Sequence, residues 1–379
     1  MNELTRYDVC IIGGGLAGLS ASILLARLGH AVALFEKEQY PFHKVCGEYI
    51  SMESYAFLES LGLPLSSMQL PMIRQLAVTA PNGNVLEQPL PLGGFGISRY
   101  TIDNELMKIA TAAGVKVYQQ CKVNSVDFTG DAFRVQTLQG DFTGAVCCGS
   151  FGKRSNLDVK WKRPFVQQKP GKLNNFIGVK YHVRTDLPRT SIALHNFENG
   201  YCGISAIEDG KYCLCYLTIA KNLAAHHNSI PEMEKNVLYA NPHLKKIFEE
   251  SEMLYDSPVT ISQISFDKKA QVEDHVLMLG DAAGMITPLC GNGMSMALHS
   301  AKVAAALISA YLQGKIDRTT LEQEYTHQWK NLFEKRLRTG RRIQRLFGKK
   351  WATNIFISVM KRFPSLVQKL IRQTHGESF

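Results

Sequence analysis

The chain has 379 residues, 45% hydrophobic and 20% charged, with a formal net charge of +10. That length predicts more than one core, and that balance excludes a wholly disordered chain. No run of eighteen apolar residues occurs, so a spanning helix and a cleaved signal peptide are not expected, and nine scattered cysteines without a C-x-x-C pair read as thiols of a reducing compartment, most simply the cytoplasm.

Residues 7–12 predict a buried strand running into glycines. Leu16, Leu19, Ile23, Leu24 and Leu28 then recur at helical spacing, Gly29 stops that helix, and Ala31 to Phe35 give a second strand ending at Glu36. This is a parallel strand–helix–strand start. A helix is predicted over Thr101–Ala113, followed by short strands near 115–118, 122–127, 132–136 and 143–148. From about 175 to 218, alternation around Asn199-Gly200 and Asp209-Gly210 predicts antiparallel hairpins. Residues 275–279 predict one more buried strand, leading through a glycine-rich turn to a helix over Ser295–Leu312. The last fifty or so residues read as wholly helical. They are also basic: from Lys330 to Phe379 thirteen Lys or Arg face only Glu334 and Glu377, so the rest of the chain is close to neutral.

Three segments carry chemistry. The first is Gly13-Gly14-Gly15-Leu16-Ala17-Gly18, a G-x-G-x-x-G between a predicted strand and helix. Gly13 permits a tight turn, Gly15 lets backbone amides approach a pyrophosphate, and Gly18 allows helix to pack on strand. Glu36, eighteen residues past Gly18, can accept from ribose hydroxyls, with Lys37 beside it. The turn alone would suit NAD as well as FAD. The second segment starts the helix with Arg99 and Asp103; Arg99 could hold a phosphate or a ribityl chain, or be a solvated residue beside a helix cap. The third is Leu279-Gly280-Asp281-Ala282-Ala283-Gly284, continuing to Pro288 and Gly291-Asn292-Gly293-Met294. Asp281 can bond ribityl hydroxyls, and bared amides at the helix start can stabilise negative charge on a flavin carbonyl.

Together the three segments resemble the glutathione-reductase-type flavoproteins of the para-hydroxybenzoate hydroxylase fold. Within that group they resemble the geranylgeranyl reductase family most, with flavin halogenases as neighbours. The narrowing feature is Pro41-Phe42-His43-Lys44-Val45-Cys46-Gly47-Glu48, which looks like the K-x-C-G loop these reductases place beside the isoalloxazine ring. The resemblance spans about residues 5–60, 95–156 and 270–315 and implies bound FAD. The implied fold is α/β plus β. It is a discontinuous, Rossmann-like three-layer FAD-binding domain from 1–156 and 270–315, with 62–94 on the substrate side. An inserted antiparallel-sheet substrate domain (157–269) and a basic helical region (316–379) complete it.

The departures matter. Phe151 stands where the hydroxylases of this fold carry an Asp, so NADPH docking at that element is not implied, and NAD(P)H or another reductant remains open as electron donor. The halogenase W-x-W-x-I-P signature is absent. Of the reductase aromatic signature only Tyr201 survives, so the substrate pocket is rebuilt. In the reductase reading, hydride reaches a carbon–carbon double bond of a lipophilic, isoprenoid- or polyene-like molecule. Cys46 is then the thiol near the flavin, or a small buried thiol packing under it. Lys44 neutralises the flavin, contacts phosphate, or is solvated. Tyr201 faces the pocket or the opposite side of its strand. No general acid can be assigned.

A flavin monooxygenase acting on a phenolic or polyketide-derived compound is the alternative enzyme, and a flavin-bearing adaptor the alternative outside catalysis. In the tail, Leu332, Leu337, Ile343, Leu346, Phe347, Trp351, Ile355, Phe356, Val359 and Met360 are interleaved with cations. That pattern suits peripheral contact at an anionic inner membrane face, or a helical subdomain that covers the cavity with a solvated basic rim. No nucleic-acid motif accompanies the charge, and nucleic acid is not an expected partner.

Overall fold

The structure is a computed structural model that describes residues 5–169, 171, 173–287, 291–346, 350–363, 367 and 376–379. Two sheets divide the chain. In the first, Thr5–Ile12 lies between Val32–Phe35 and Gly140–Gly149, parallel to both; Lys116–Tyr118 and Val276–Met278 extend the parallel set on either side. Val9 to Ile12 and Val32 to Phe35 are all buried, as expected for strands covered on both faces. Helices Leu16–Arg27, Arg99–Ala112 and Gly293–Leu312 pack together against this sheet. The antiparallel strands Val123–Thr129 and Ala132–Thr137 join Gly140–Gly149, whose far end enters the parallel sheet. The helix Gly293–Leu312 is long and apolar enough to cross a membrane, but half of it is buried and it serves as a core helix.

The second sheet has nine strands, in the order Glu252–Met253, Phe176–Arg184, Tyr212–Ile219, Gly200–Ala206, Ser191–Phe197, Met72–Thr79, Val85–Gly96 and Tyr49–Ser51, with Val259–Ile264 also on Phe176–Arg184. All pairings are antiparallel except that of Ser191–Phe197 with Met72–Thr79. The hairpin 72–96 and the strand Tyr49–Ser51 thus leave the first half of the chain to complete a sheet whose other strands come from the 176–264 segment.

The C-terminal helices have separate jobs. Arg318–Leu346 buries Leu321, Tyr325, Trp329, Phe333 and Leu337, four residues apart, in the main core, and the Tyr325 hydroxyl donates to the Met278 carbonyl. Each such burial is worth roughly 1.5–3 kcal/mol. Lys350–Arg362 lays Phe356, Ile357 and Met360 against Val78, Ala80 and Leu86. The expectation of a wholly helical tail fails at its end. Gly376–Phe379 has no regular structure, and the Phe379 ring stacks on His299 at 4.1 Å and lies tilted against Phe57 at 5.3 Å. Ring contacts and a hydrogen bond from the Gly376 backbone to Glu53 hold those last residues.

Candidate functional site

The first glycine turn is built by contact. A Cβ at Gly18 would run into the Gly13 carbonyl and the Ser150 hydroxyl, so only glycine lets the helix start this close to the strand. At Gly15 the space is open, and what faces it is charge: a Cβ there would meet the Arg99 guanidinium at 3.4 Å and Lys44 Nζ at 3.9 Å. Gly15 is also the N-cap residue of Leu16–Arg27, and no side chain caps it. Free amides at a helix start with two cations above them make an anion cradle. Arg99 is held there by a bidentate pair with Asp103, at 2.8 and 2.7 Å, and Lys44 reaches the same carboxylate at 3.0 Å. Burial alone would raise the Asp103 carboxyl; Arg99 and Lys44 overcome that and hold it low. Lys44 therefore belongs to the diphosphate end of the site, by way of Asp103.

Glu36 is buried and turned into the turn itself: one carboxylate oxygen accepts from the Gly14 amide at 2.8 Å, the other from Glu38 at 3.1 Å. The Lys37 side chain points to solvent and pairs with Glu38, rather than turning into the glycine turn as Glu36 does. A surface residue one step past a buried strand end alternates outward, which the spacing alone did not weigh.

The second turn follows Leu279. The Gly280 amide donates to Ser300 on the helix it precedes, at 3.1 Å, and Lys269 donates to the carbonyls of Asp281 and Lys153 at 2.7 and 2.9 Å. Burial pulls the Lys269 ammonium down to about 8 despite Asp281 and Asp158 nearby. The expected Pro288 lies outside the described residues. Both turns open into one cavity: Gly15, Leu16, Ala17 and Arg99 line one part, and Gly280, Asp281, Gly291, Asn292, Gly293 and Met294 another. Gly13, Gly18, Glu36 and Lys44 stand behind this lining rather than in it. An elongated dinucleotide with a diphosphate at one turn and a ring at the other fits that donor set.

Between the turns runs the loop 41–48. Cys46 lines the cavity with its Sγ 3.6 Å from Met294 Sδ, and Cys213 donates to the Cys46 carbonyl at 3.2 Å. Sequence reasoning missed what holds this loop. Glu48, fully buried and at a positive φ of 55°, accepts from Lys180 at 2.5 Å and from the Arg99 amide at 2.8 Å; its other oxygen lies 2.6 Å from His182 Nε2. Such a backbone is strained in a non-glycine residue and persists where its surroundings over-determine it. Burial would raise this carboxyl; Lys180 and His182 reverse that and bring it to about 2. The missed signal was the pair Lys180 and His182, buried on one face of the strand Phe176–Arg184 among apolar neighbours. Glu48, His182 and Cys213 could present three metal ligands within 4.8 Å, but the Lys180 ammonium already occupies that carboxylate.

Across the cavity stands the second sheet. Ile192, Leu194, Leu217 and Ile264 line this wall with Gly203, Tyr201 and Cys215, and Met285, just past the second turn, packs against it. Tyr201 thus faces the cavity rather than the other side of its strand. Burial pushes the Cys215 thiol up to about 12, so it stays neutral.

Residues 6–143 match the family described as FAD binding domain. The cofactor is FAD. Full-length relatives are more distant. The chain is 24% identical over 399 residues to a 1H-pyrrole-2-carbonyl-[peptidyl-carrier protein] brominase of Pseudoalteromonas luteoviolacea, covering 100% of this chain and 94% of that one. It is 23% identical to digeranylgeranylglycerophospholipid reductase 2 of Methanothermobacter thermautotrophicus, covering 90% and 88%. Among solved structures, a flavin-dependent brominase superposes with a TM-score of 0.79 at 20% identity, over 98% and 93% of the two chains. This confirms the flavoprotein fold and corrects the ordering within the resemblance, since halogenases stand among these relatives beside the geranylgeranyl reductases, which are not singled out. The chain is an FAD-dependent enzyme of the oxidoreductase type.

Proposed function

We propose that this enzyme uses FAD to reduce a carbon–carbon double bond in a lipophilic molecule. The observation that carries this reading is the apolar wall opposite the glycine turns, made by Ile192, Leu194, Leu217 and Ile264 with Met285 packed against it. Such a wall offers hydrophobic contact to an isoprenoid- or polyene-like chain. FAD held by the two glycine turns would, when reduced, supply hydride to one carbon of the double bond, leaving the other carbon in need of a proton. Cys46, which lines the cavity, carries a protic group that can face that carbon, while the Tyr201 hydroxyl is buried within the wall. The Glu48–Lys180–His182 cluster keeps the Cys46 loop in register with Met294, and NAD(P)H or another donor returns the electron pair to the cofactor.

The test is product mass after incubating chemically reduced holoenzyme, without oxygen, with polyprenyl and polyene lipids. Gain of two hydrogens supports the reading. A second reading is an oxygen-dependent reaction, favoured by the halogenating relatives. It predicts no anaerobic product and, in air, a product carrying one atom from labelled dioxygen or an added halide; that outcome overturns the reduction.

A further inference from the structure

The sequence left two roles open for the basic tail, and the two C-terminal helices divide them. The apolar stripe of Arg318–Leu346 from Leu321 to Leu337 is buried in the protein core and is closed to any partner. In Lys350–Arg362 the face formed by Phe356, Ile357 and Met360 lies on the hairpin 72–96. Ile355 and Val359 on its outward side, with Phe363 just past its end, are 56%, 42% and 52% exposed. At i, i+4 and i+8 these three share one side of the helical axis, and exposed Arg362, seven residues past Ile355, falls beside them. The helix contains no Asp or Glu, and Lys361 joins Arg362 in its last turn. Lys330, Lys335, Arg338 and Arg342 are exposed on the preceding helix, where Glu334 answers Arg338 alone.

We propose that the outer face of Lys350–Arg362 docks on an anionic phospholipid surface. Three exposed apolar side chains in a row would enter the acyl boundary, while the surrounding cations meet lipid phosphates. Charge selects the occupant: a +11 segment with an apolar ridge complements an anionic bilayer better than a second copy of itself, whose matching face would repel it. The inference stands whether or not double-bond reduction is the reaction.

The experiment is co-sedimentation of the FAD-loaded full chain with vesicles of phosphatidylglycerol or of phosphatidylcholine. The expected result is at least a tenfold preference for the anionic vesicles. It is lost about tenfold in Ile355→Ser/Val359→Ser/Phe363→Ser, and several-fold in Lys361→Glu/Arg362→Glu, with FAD content unchanged. If the triple variant does not load FAD, Phe363→Ser alone should show a several-fold loss. No binding to anionic vesicles overturns the proposal, as does binding that the serine variants leave intact. Sedimentation velocity without lipid provides the remaining outcome. A dimer that the serine variants dissociate would assign the face to a second copy and likewise overturn it.

Discussion

On one side of the cavity the contacts are backbone amides bared by glycine; on the other they are apolar side chains of a mostly antiparallel sheet. The amide side is specific because geometry leaves no freedom: a helix start, a strand end and a carbonyl are packed so closely that a Cβ at Gly18 has no room. The sheet side needs only to be apolar and about the right depth, and many sequences meet that demand. The difference teaches where a reaction is conserved in form and where it is free to change. The glycine turns constrain the cofactor side, while an apolar wall leaves the substrate side free to vary, and both a brominase and a lipid reductase stand among the relatives.

Breaking the amide side should have the largest effect. Gly18→Val should yield protein that folds its second sheet but purifies without detectable FAD, measured by flavin absorbance per chain. Retention of cofactor there would remove the distinction between the walls.

The next effect lies at the seam. Glu48→Gln leaves the Lys180 ammonium buried without its partner and should cost about 3–5 kcal/mol in urea unfolding. Glu48→Leu/Lys180→Met, which removes both charges, should cost much less. An equal loss in both variants would mean that the cluster is held by packing rather than charge. The same groups set the acid limit. Glu48 and Asp103 both have folded values below their unfolded ones. Their stabilisation is therefore complete above roughly pH 4.5 and lost as pH falls toward the folded values. Midpoint temperature followed downward from pH 6 should drop steeply below about 4.5 in the wild type, and less steeply in the double variant.

A smaller change should come from the apolar wall. Ile192→Ala should raise KM for a lipophilic substrate about five- to tenfold, the weight of one or two methylenes, with FAD affinity unchanged. A change in FAD affinity of similar size would show that the walls are not independent. Smallest of all, Lys37→Ala should alter FAD binding by less than about twofold, because that side chain lies in solvent.

Legibility in the sequence follows the same division. The parallel strand–helix–strand start, the helix after Arg99 and the late glycine turn were readable because each carries a local signal: a run of apolar residues, a cap, a glycine spacing. The hairpins after residue 175 were readable as alternation, but their completion by Met72–Thr79 and Val85–Gly96 was not, since strand pairing over a hundred residues leaves no mark at either partner. In the site, Gly15, Arg99, Asp281 and Gly291–Met294 were legible as motif. Glu48, Lys180 and His182 were not, because an ionic cluster drawn from two distant segments exists only once the chain has folded. Lys37 shows the opposite case: it neighbours Glu36 in sequence, yet its side chain faces solvent while Glu36 is buried.

The central claim is that one FAD spans both glycine turns with its ring between the Cys46 loop and the apolar wall. A crystal structure of the chain grown with FAD tests it most directly. The diphosphate is predicted on the amides of Gly15–Ala17 beneath Arg99, with the ring edge at Gly291–Met294 and its open face toward Leu217 and Ile264. A cofactor seated at one turn only, or with its ring turned away from that wall, would contradict the account.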